Sequence, residues 1–192
     1  FILIAAVFDF LDGGAARFLK VTSDIGKELD SLADMVSFGV LPGFILYSLT
    51  LKHEPGWAGL LALIVIPAAA LRLAKFNVDD RQGSVFLGLP TPAAATFVAG
   101  LPYLVELADF WFLDNPLSIL VMAVLLSILM VSEIPLLSLK FSRDSRGQNP
   151  FRIIILVLSV VAFWLLKLAA LPMIIIFSVV ISMIGVPRQS MR

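Results

Sequence analysis

Apolar runs of membrane-crossing length recur along the whole chain, broken only by polar or Pro/Gly-containing stretches. Hydrocarbon offers backbone groups no partners, so runs of this kind are confined to helices that satisfy their own hydrogen bonds. The breaks divide the chain into about seven helices, at 1–19, 28–51, 57–77, 88–108, 116–138, 151–167 and 169–186, each near the ~20 residues a bilayer requires. The last two are separated only around Lys167 to Pro172, which predicts a tight hairpin. Composition points the same way: 60% of the 192 residues are hydrophobic, 15% are charged, and the mean hydropathy is +1.02. Soluble domains do not have this balance. The expected fold is all-α, a polytopic integral membrane helical bundle forming one transmembrane domain over residues 1–192.

Charge sets the orientation. Twelve of the fourteen Lys and Arg residues fall in the first, third and fifth connections and the tail, leaving Lys52 and Lys167 on the other side. The basic side is expected to be cytoplasmic. This topology starts the first helix on the outer side, and the chain begins with Phe1, so an earlier helix is expected to precede it. Net charge is zero, which gives no reason to expect nucleic acid as a partner. Cysteine is absent, excluding thiolate metal sites, and the lone His53 reads as a solvated loop residue.

Against this background four aspartates stand out: Asp9, Asp12, Asp30 and Asp34, in helices within residues 1–51. Carboxylates in apolar helices are costly and mark function by default. Spacings of three and four residues place each pair on one helix face. Two helices meeting on those faces would bring four carboxylates to one point, the outline of a site for two Mg²⁺ or Mn²⁺ ions. Gly13, Ala16 and Gly26 place small residues beside the acids, leaving room for a nucleotide, and Arg17 can neutralise a phosphate. Each has a second reading. The acids would also suit a cation-coupled transporter. The small residues would also suit close helix packing, and Arg17 an interfacial anchor.

The pattern D-x2-D-G-x2-A-R-x8-G-x3-D-x3-D is met at Asp9, Asp12, Gly13, Ala16, Arg17, Gly26, Asp30 and Asp34. It resembles the signature of the CDP-alcohol phosphotransferase (CDP-alcohol phosphatidyltransferase) family. The resemblance implies that Asp9, Asp12, Asp30 and Asp34 are metal ligands and that Asp34 is also the catalytic base. It further implies that Asp12, Gly13, Ala16, Arg17 and Gly26 contact the CDP and its phosphates. Two divalent ions, a homodimer and an inner (plasma) membrane location with the site facing the cytoplasm complete the implied picture.

Three further strings resemble the phosphatidylserine synthase branch: Ser31 to Pro42, Ala70 to Asn77 and Phe86 to Ala95. That branch implies a phospholipid-biosynthesis transferase using CDP-diacylglycerol and L-serine. Other branches would take a phosphorylated acceptor and make phosphatidylglycerophosphate or a phosphatidylinositol phosphate. Serine carries an ammonium and a carboxylate, and Arg72 and Asn77 stand at the right depth to meet them. A snorkelling arginine is the alternative for Arg72. Thr91 is expected to cap its helix, and Glu133 to pair structurally within the membrane. The stretch Lys140 to Arg152 is expected to be a cytosolic loop attracted to anionic lipid.

Overall fold

The structure, a computed structural model, describes residues 1–19, 23–51, 57–78, 85–108, 115–137 and 149–185. Among these the chain is almost wholly helical. Helix α1 (Ile2–Leu19) is followed by α2 (Asp24–Asp34), a π-helical segment Met35–Val40, and α3 (Leu41–Leu51). These last three form one continuous rod. A 3₁₀ stretch Trp57–Ile64 leads into α4 (Val65–Val78), then a short strand β1 (Val85–Leu87), α5 (Thr91–Ala108) and α6 (Pro116–Val131). Strand β2 (Pro135–Leu137), α7 (Asn149–Leu166), a 3₁₀ turn Lys167–Ala170 and α8 (Leu171–Gly185) complete the chain. Among the described residues three stretches, Ile25–Leu51, Gly59–Val78 and Asn149–Gly185, are long and apolar enough to cross a membrane. The protein is an all-α membrane bundle.

Local chemistry explains several element ends. Ser23 is extended and its side chain accepts from the Gly26 N–H at 3.0 Å, so α2 begins four residues earlier than the apolar pattern predicts. Asn115 does the same for Leu117 at 2.9 Å, with Pro116 in the first turn of α6. The helix expected over 116–138 stops at Val131, because Pro135 has no N–H and disfavours helical geometry at Ile134. Residues 135–137 instead pair antiparallel with 85–87, Val85 opposite Leu137. Likewise α5 starts at Thr91 and not at 88. Gly88 takes φ of +75°, where an added Cβ would lie 2.7 Å from the Met130 carbonyl oxygen. The Pro90 carbonyl accepts from Ala93 and Ala94, so Pro90 holds the capping position expected of Thr91, which is buried as the first helical residue.

The core lies among α3, α4, α5 and α6. Leu46, Ala62, Val65, Ala69, Val98 and Leu101 are at most 1% exposed there. Small residues let these helices approach closely, as membrane helices require in the absence of a strong hydrophobic drive. A Cβ at Gly43 would fall 2.7 Å from Ile66, and one at Gly39 3.1 Å from Ala69. Gly100 is closed off by Pro172 and Leu171, which seats α8 on α5.

The outside is apolar. Trp164, Leu165 and Val160 on α7 are 81%, 63% and 62% exposed, as lipid-facing side chains are. Ser127 and Ser159 donate their hydroxyls to the preceding turn, to Ala123 and Ile155, each at 2.7 Å, so neither needs water. Helix α7 turns back on α8 through Lys167, whose φ of 52° breaks the helix, giving the expected hairpin.

Two polar residues sit differently from expectation. Arg152 is inside α7 and only 1% exposed, its Nη1 donating to Asn149 Oδ1 at 2.9 Å. It is therefore not part of a lipid-facing loop; residues 138–148 lie outside the described residues. Glu133 lies beyond the end of α6 and is exposed, so it is not an intramembrane helix residue.

Candidate metal and nucleotide site

Helix α1 presents Asp9 and Asp12 on one face, and α2 presents Asp30 toward them. A carboxylate oxygen from each of the three lies within 4.8 Å of the others. An Mg²⁺-sized ion holds its oxygens at about 2.0–2.1 Å, so oxygens around one ion are separated by up to ~4 Å. Small side-chain movements would close the trio on a cation. The donor set is all oxygen, the chemistry of hard divalent ions and not of zinc or copper. Asp34, one turn further along α2, is half-buried and near enough to feel the charges of Asp9, Asp30 and Asp12. Four negative charges gathered this way repel one another, and a bound cation would relieve the repulsion.

The face beside the acids is open. Among the described residues nothing lies within 4 Å of a Cβ built at Gly13 or at Gly14. Among the described residues, then, no side chain makes the close approach at Gly13 that the helix-packing reading calls for. At Gly26 the nearest atom to such a Cβ is the capping Ser23 Oγ, at 3.0 Å. The side chains of Ala16 and Arg17 lie outside the described residues, as do Lys20, His53 and Arg81. Next to the acids, Ile4, Ala5 and Phe8 of α1 face Val36, Val40 and Phe44 across an apolar groove of about 510 Å³.

The C-terminal half of α4 carries the remaining candidate residues. Arg72 is 4% exposed, with its guanidinium carbon 5.2 Å from the Phe76 ring centroid. A buried, stacked arginine is not a snorkelling one, and that alternative falls. Lys75 Nζ donates to the Val131 carbonyl at 3.1 Å, where α6 ends. Asn77 Nδ2 donates to Ser31 Oγ at 2.8 Å, so Asn77 reaches α2 directly beside Asp30. In the sequence Ser31 opens the first of the branch-like strings, but nothing there marks it as a partner for Asn77.

Comparison with known proteins points to one family. The family model described as CDP-alcohol phosphatidyltransferase matches residues 1–186. A CDP-diacylglycerol–serine O-phosphatidyltransferase of Methanocaldococcus jannaschii is 39% identical over 133 residues, covering 69% of this chain and 60% of that protein. Its Bacillus subtilis namesake is 40% identical over 134 residues, covering 70% of this chain and 71% of its own. The Saccharomyces cerevisiae enzyme of the same name is 38% identical over 115 residues, or 55% of this chain and 41% of its own. The chain thus spans well under two thirds of most curated relatives it matches, and 60% of the M. jannaschii protein. With a match over nearly its whole length and the aspartate signature in place, the chain belongs to the CDP-alcohol phosphatidyltransferase family.

Proposed function

We propose that this protein is a membrane-bound CDP-diacylglycerol–serine O-phosphatidyltransferase, with one domain over residues 1–192 carrying the reaction. The observation that carries the reading is the Asp9, Asp12 and Asp30 carboxylate trio beside the open face at Gly13. The names of relatives near 40% identity support serine as acceptor and CDP-diacylglycerol as donor.

Asp9, Asp12, Asp30 and Asp34 would hold two Mg²⁺ or Mn²⁺ ions. When bound, such ions supply charge that stabilises the diphosphate and the phosphorus under attack. Gly13, Ala16 and Gly26 leave space for the cytidine diphosphate, and Arg17 pairs with its phosphates. Asp34, set back from the trio on α2, takes the proton from the serine hydroxyl. The serine oxygen then forms a bond to the lipid-side phosphorus as the bond to the CMP oxygen breaks, giving phosphatidylserine and CMP.

Arg72 faces the serine carboxylate as a fixed cation, a role supported by its burial against Phe76. The Asn77 amide nitrogen is engaged by Ser31, which leaves its carbonyl oxygen for the serine ammonium. The acyl chains leave through the apolar groove between α1 and the π-helical segment. The basic connections support a site facing the cytoplasm at the inner membrane, and the family resemblance supports a homodimer.

The test is CMP release from CDP-diacylglycerol by purified protein in detergent with metal, offering L-serine, glycerol 3-phosphate or inositol phosphate separately. Release with serine alone, lost in Asp34→Asn, is expected. Release with a phosphorylated acceptor would keep the family chemistry and replace the acceptor. No release from folded, metal-binding protein would favour cation transport.

A further inference from the structure

Helix α2 carries Asp30 but has little packing to hold it in place. Its apolar residues Ile25, Leu29 and Leu32 are 75%, 60% and 63% exposed. Burial therefore does little to decide where α2 lies relative to α1, although the trio requires Asp30 within 4.8 Å of Asp9 and Asp12. Repulsion among the acids pushes the other way. Continuity with the buried π-helical segment fixes the C-terminal end of α2, and something other than apolar contact must hold the Asp30 turn itself.

The neighbouring helix is well held. Helix α4 packs along the π-helical segment where Gly39 admits Ala69, and its Val65 and Ala69 are in the core. Its last turn is tied to the end of α6 by Lys75 Nζ on the Val131 carbonyl, at 3.1 Å. From that fixed turn Asn77 Nδ2 reaches Ser31 Oγ at 2.8 Å. The Ser31 hydroxyl in turn donates to the Lys27 carbonyl at 3.1 Å, so its proton points away and a lone pair faces Asn77. Ser31 immediately follows Asp30 in the chain.

We infer that the Asn77–Ser31 hydrogen bond is the latch that holds Asp30 opposite Asp9 and Asp12, making Asn77 and Ser31 positioning residues of the cation site. They touch no metal themselves. They tie the rigidity of α4 to a turn of the rod that has little apolar packing of its own, as outer-shell groups do when they orient metal ligands. The inference rests on the metal reading of the trio.

The experiment is a Mn²⁺ titration followed by electron paramagnetic resonance of free Mn²⁺, on the purified protein in detergent without substrate. The variants are Ser31→Ala, Asn77→Ala, the double variant, Ser31→Thr and Asp30→Asn, each checked for an unchanged melting midpoint. Loss of an outer-shell partner weakens metal binding by about 10–100-fold in known sites. Each alanine variant is expected to lose about tenfold in Mn²⁺ affinity at the low end of that range. The double variant should lose no more than the worse single one, because both remove the same bond. Ser31→Thr keeps the hydroxyl and should restore binding to near the parent value. Parent affinity in either alanine variant, or additive losses in the double, would overturn the latch while Asp30→Asn still abolishes binding. Unchanged Mn²⁺ binding in Asp30→Asn would instead overturn the metal reading, and the latch with it.

Discussion

Glycines do opposite things in two regions of this molecule. In the bundle core, Gly43 and Gly100 are filled from outside by Ile66 and Leu171, whose atoms would come within 2.8 Å of any added Cβ. Along α1, Gly13 and Gly14 face open space, with nothing within 4 Å of such a Cβ among the described residues. The same residue type is a packing device in one region and a clearing in the other. What separates them is charge. The core glycines sit among side chains with almost no exposure, whereas Gly13 follows directly on Asp12, and a bundle cannot close tightly over clustered carboxylates without neutralising them.

The largest effect should come from the charged side of this contrast. Asp30→Asn keeps size and helix but removes one negative charge and one ligand oxygen. If the acids hold catalytic metal worth several kcal/mol of transition-state stabilisation, activity should fall by about 10³-fold or more. CMP release, compared with a melting midpoint in the same detergent, measures this. A drop in activity matched by a collapse of the midpoint would mean that Asp30 serves folding, and would dissolve the distinction between the two regions.

The glycines themselves supply the next test. Gly43→Val forces bulk against Ile66 and should destabilise by about 1–3 kcal/mol, the usual cost of overpacking. Gly13→Ala should leave stability level or raise it by up to ~1 kcal/mol, since alanine is the better helix former. It should nonetheless raise the apparent KM for CDP-diacylglycerol, because the methyl group enters the clearing. Thermal melts and initial rates on both variants decide the matter. Equal stability losses at Gly43 and Gly13 would show that the clearing is occupied by packing after all.

How far the sequence reveals this architecture depends on what each feature requires. The acids at Asp9, Asp12, Asp30 and Asp34 are legible because helical spacing alone puts each pair on a face, and a carboxylate in apolar sequence needs a reason. Helix existence is legible for the same kind of reason. Element ends are less so: the stop at Val131 rests on Pro135, and the β1–β2 pairing joins residues 85 and 137, which no local pattern connects. The π-helical turn after Asp34 leaves no mark on composition, because it changes a hydrogen-bond register and not a residue type. Arg152 reads as part of a basic surface loop until the first turn of α7 is seen to bury it. Burial of a charged residue is a property of its neighbours.

Arg72 offers a sharper cut between the regions, since it is buried like the core yet proposed to meet the substrate. Hydrogen bonds to charged groups are worth about 1.5–3 kcal/mol, or roughly 10–100-fold in binding. Arg72→Met is expected to raise the KM for serine by about tenfold or more on that scale, with the KM for CDP-diacylglycerol moving less than about twofold. Arg72→Lys should recover only part of the loss, because an ammonium cannot make the bidentate contact. Equal changes in both KM values would assign Arg72 to general support of the α4 turn.

The smallest effect should be at Lys75, which stands on the turn where the two regions meet. Its ammonium satisfies the Val131 carbonyl at the end of α6, at 3.1 Å, and the side chain is otherwise exposed. Helix-end carbonyls gain from a nearby cation by about 0.3–1 kcal/mol. Lys75→Met keeps the apolar stem and removes only the donor, so the stability loss should stay within ~1 kcal/mol. Gly43→Val should therefore cost more than Lys75→Met in the same melt. The reverse order would mean that the closed half is held chiefly by its polar end-caps and not by the close approach of its small residues. The open region would then differ from it in degree of capping, and the contrast between filled and vacant glycines would cease to explain why the core is shut.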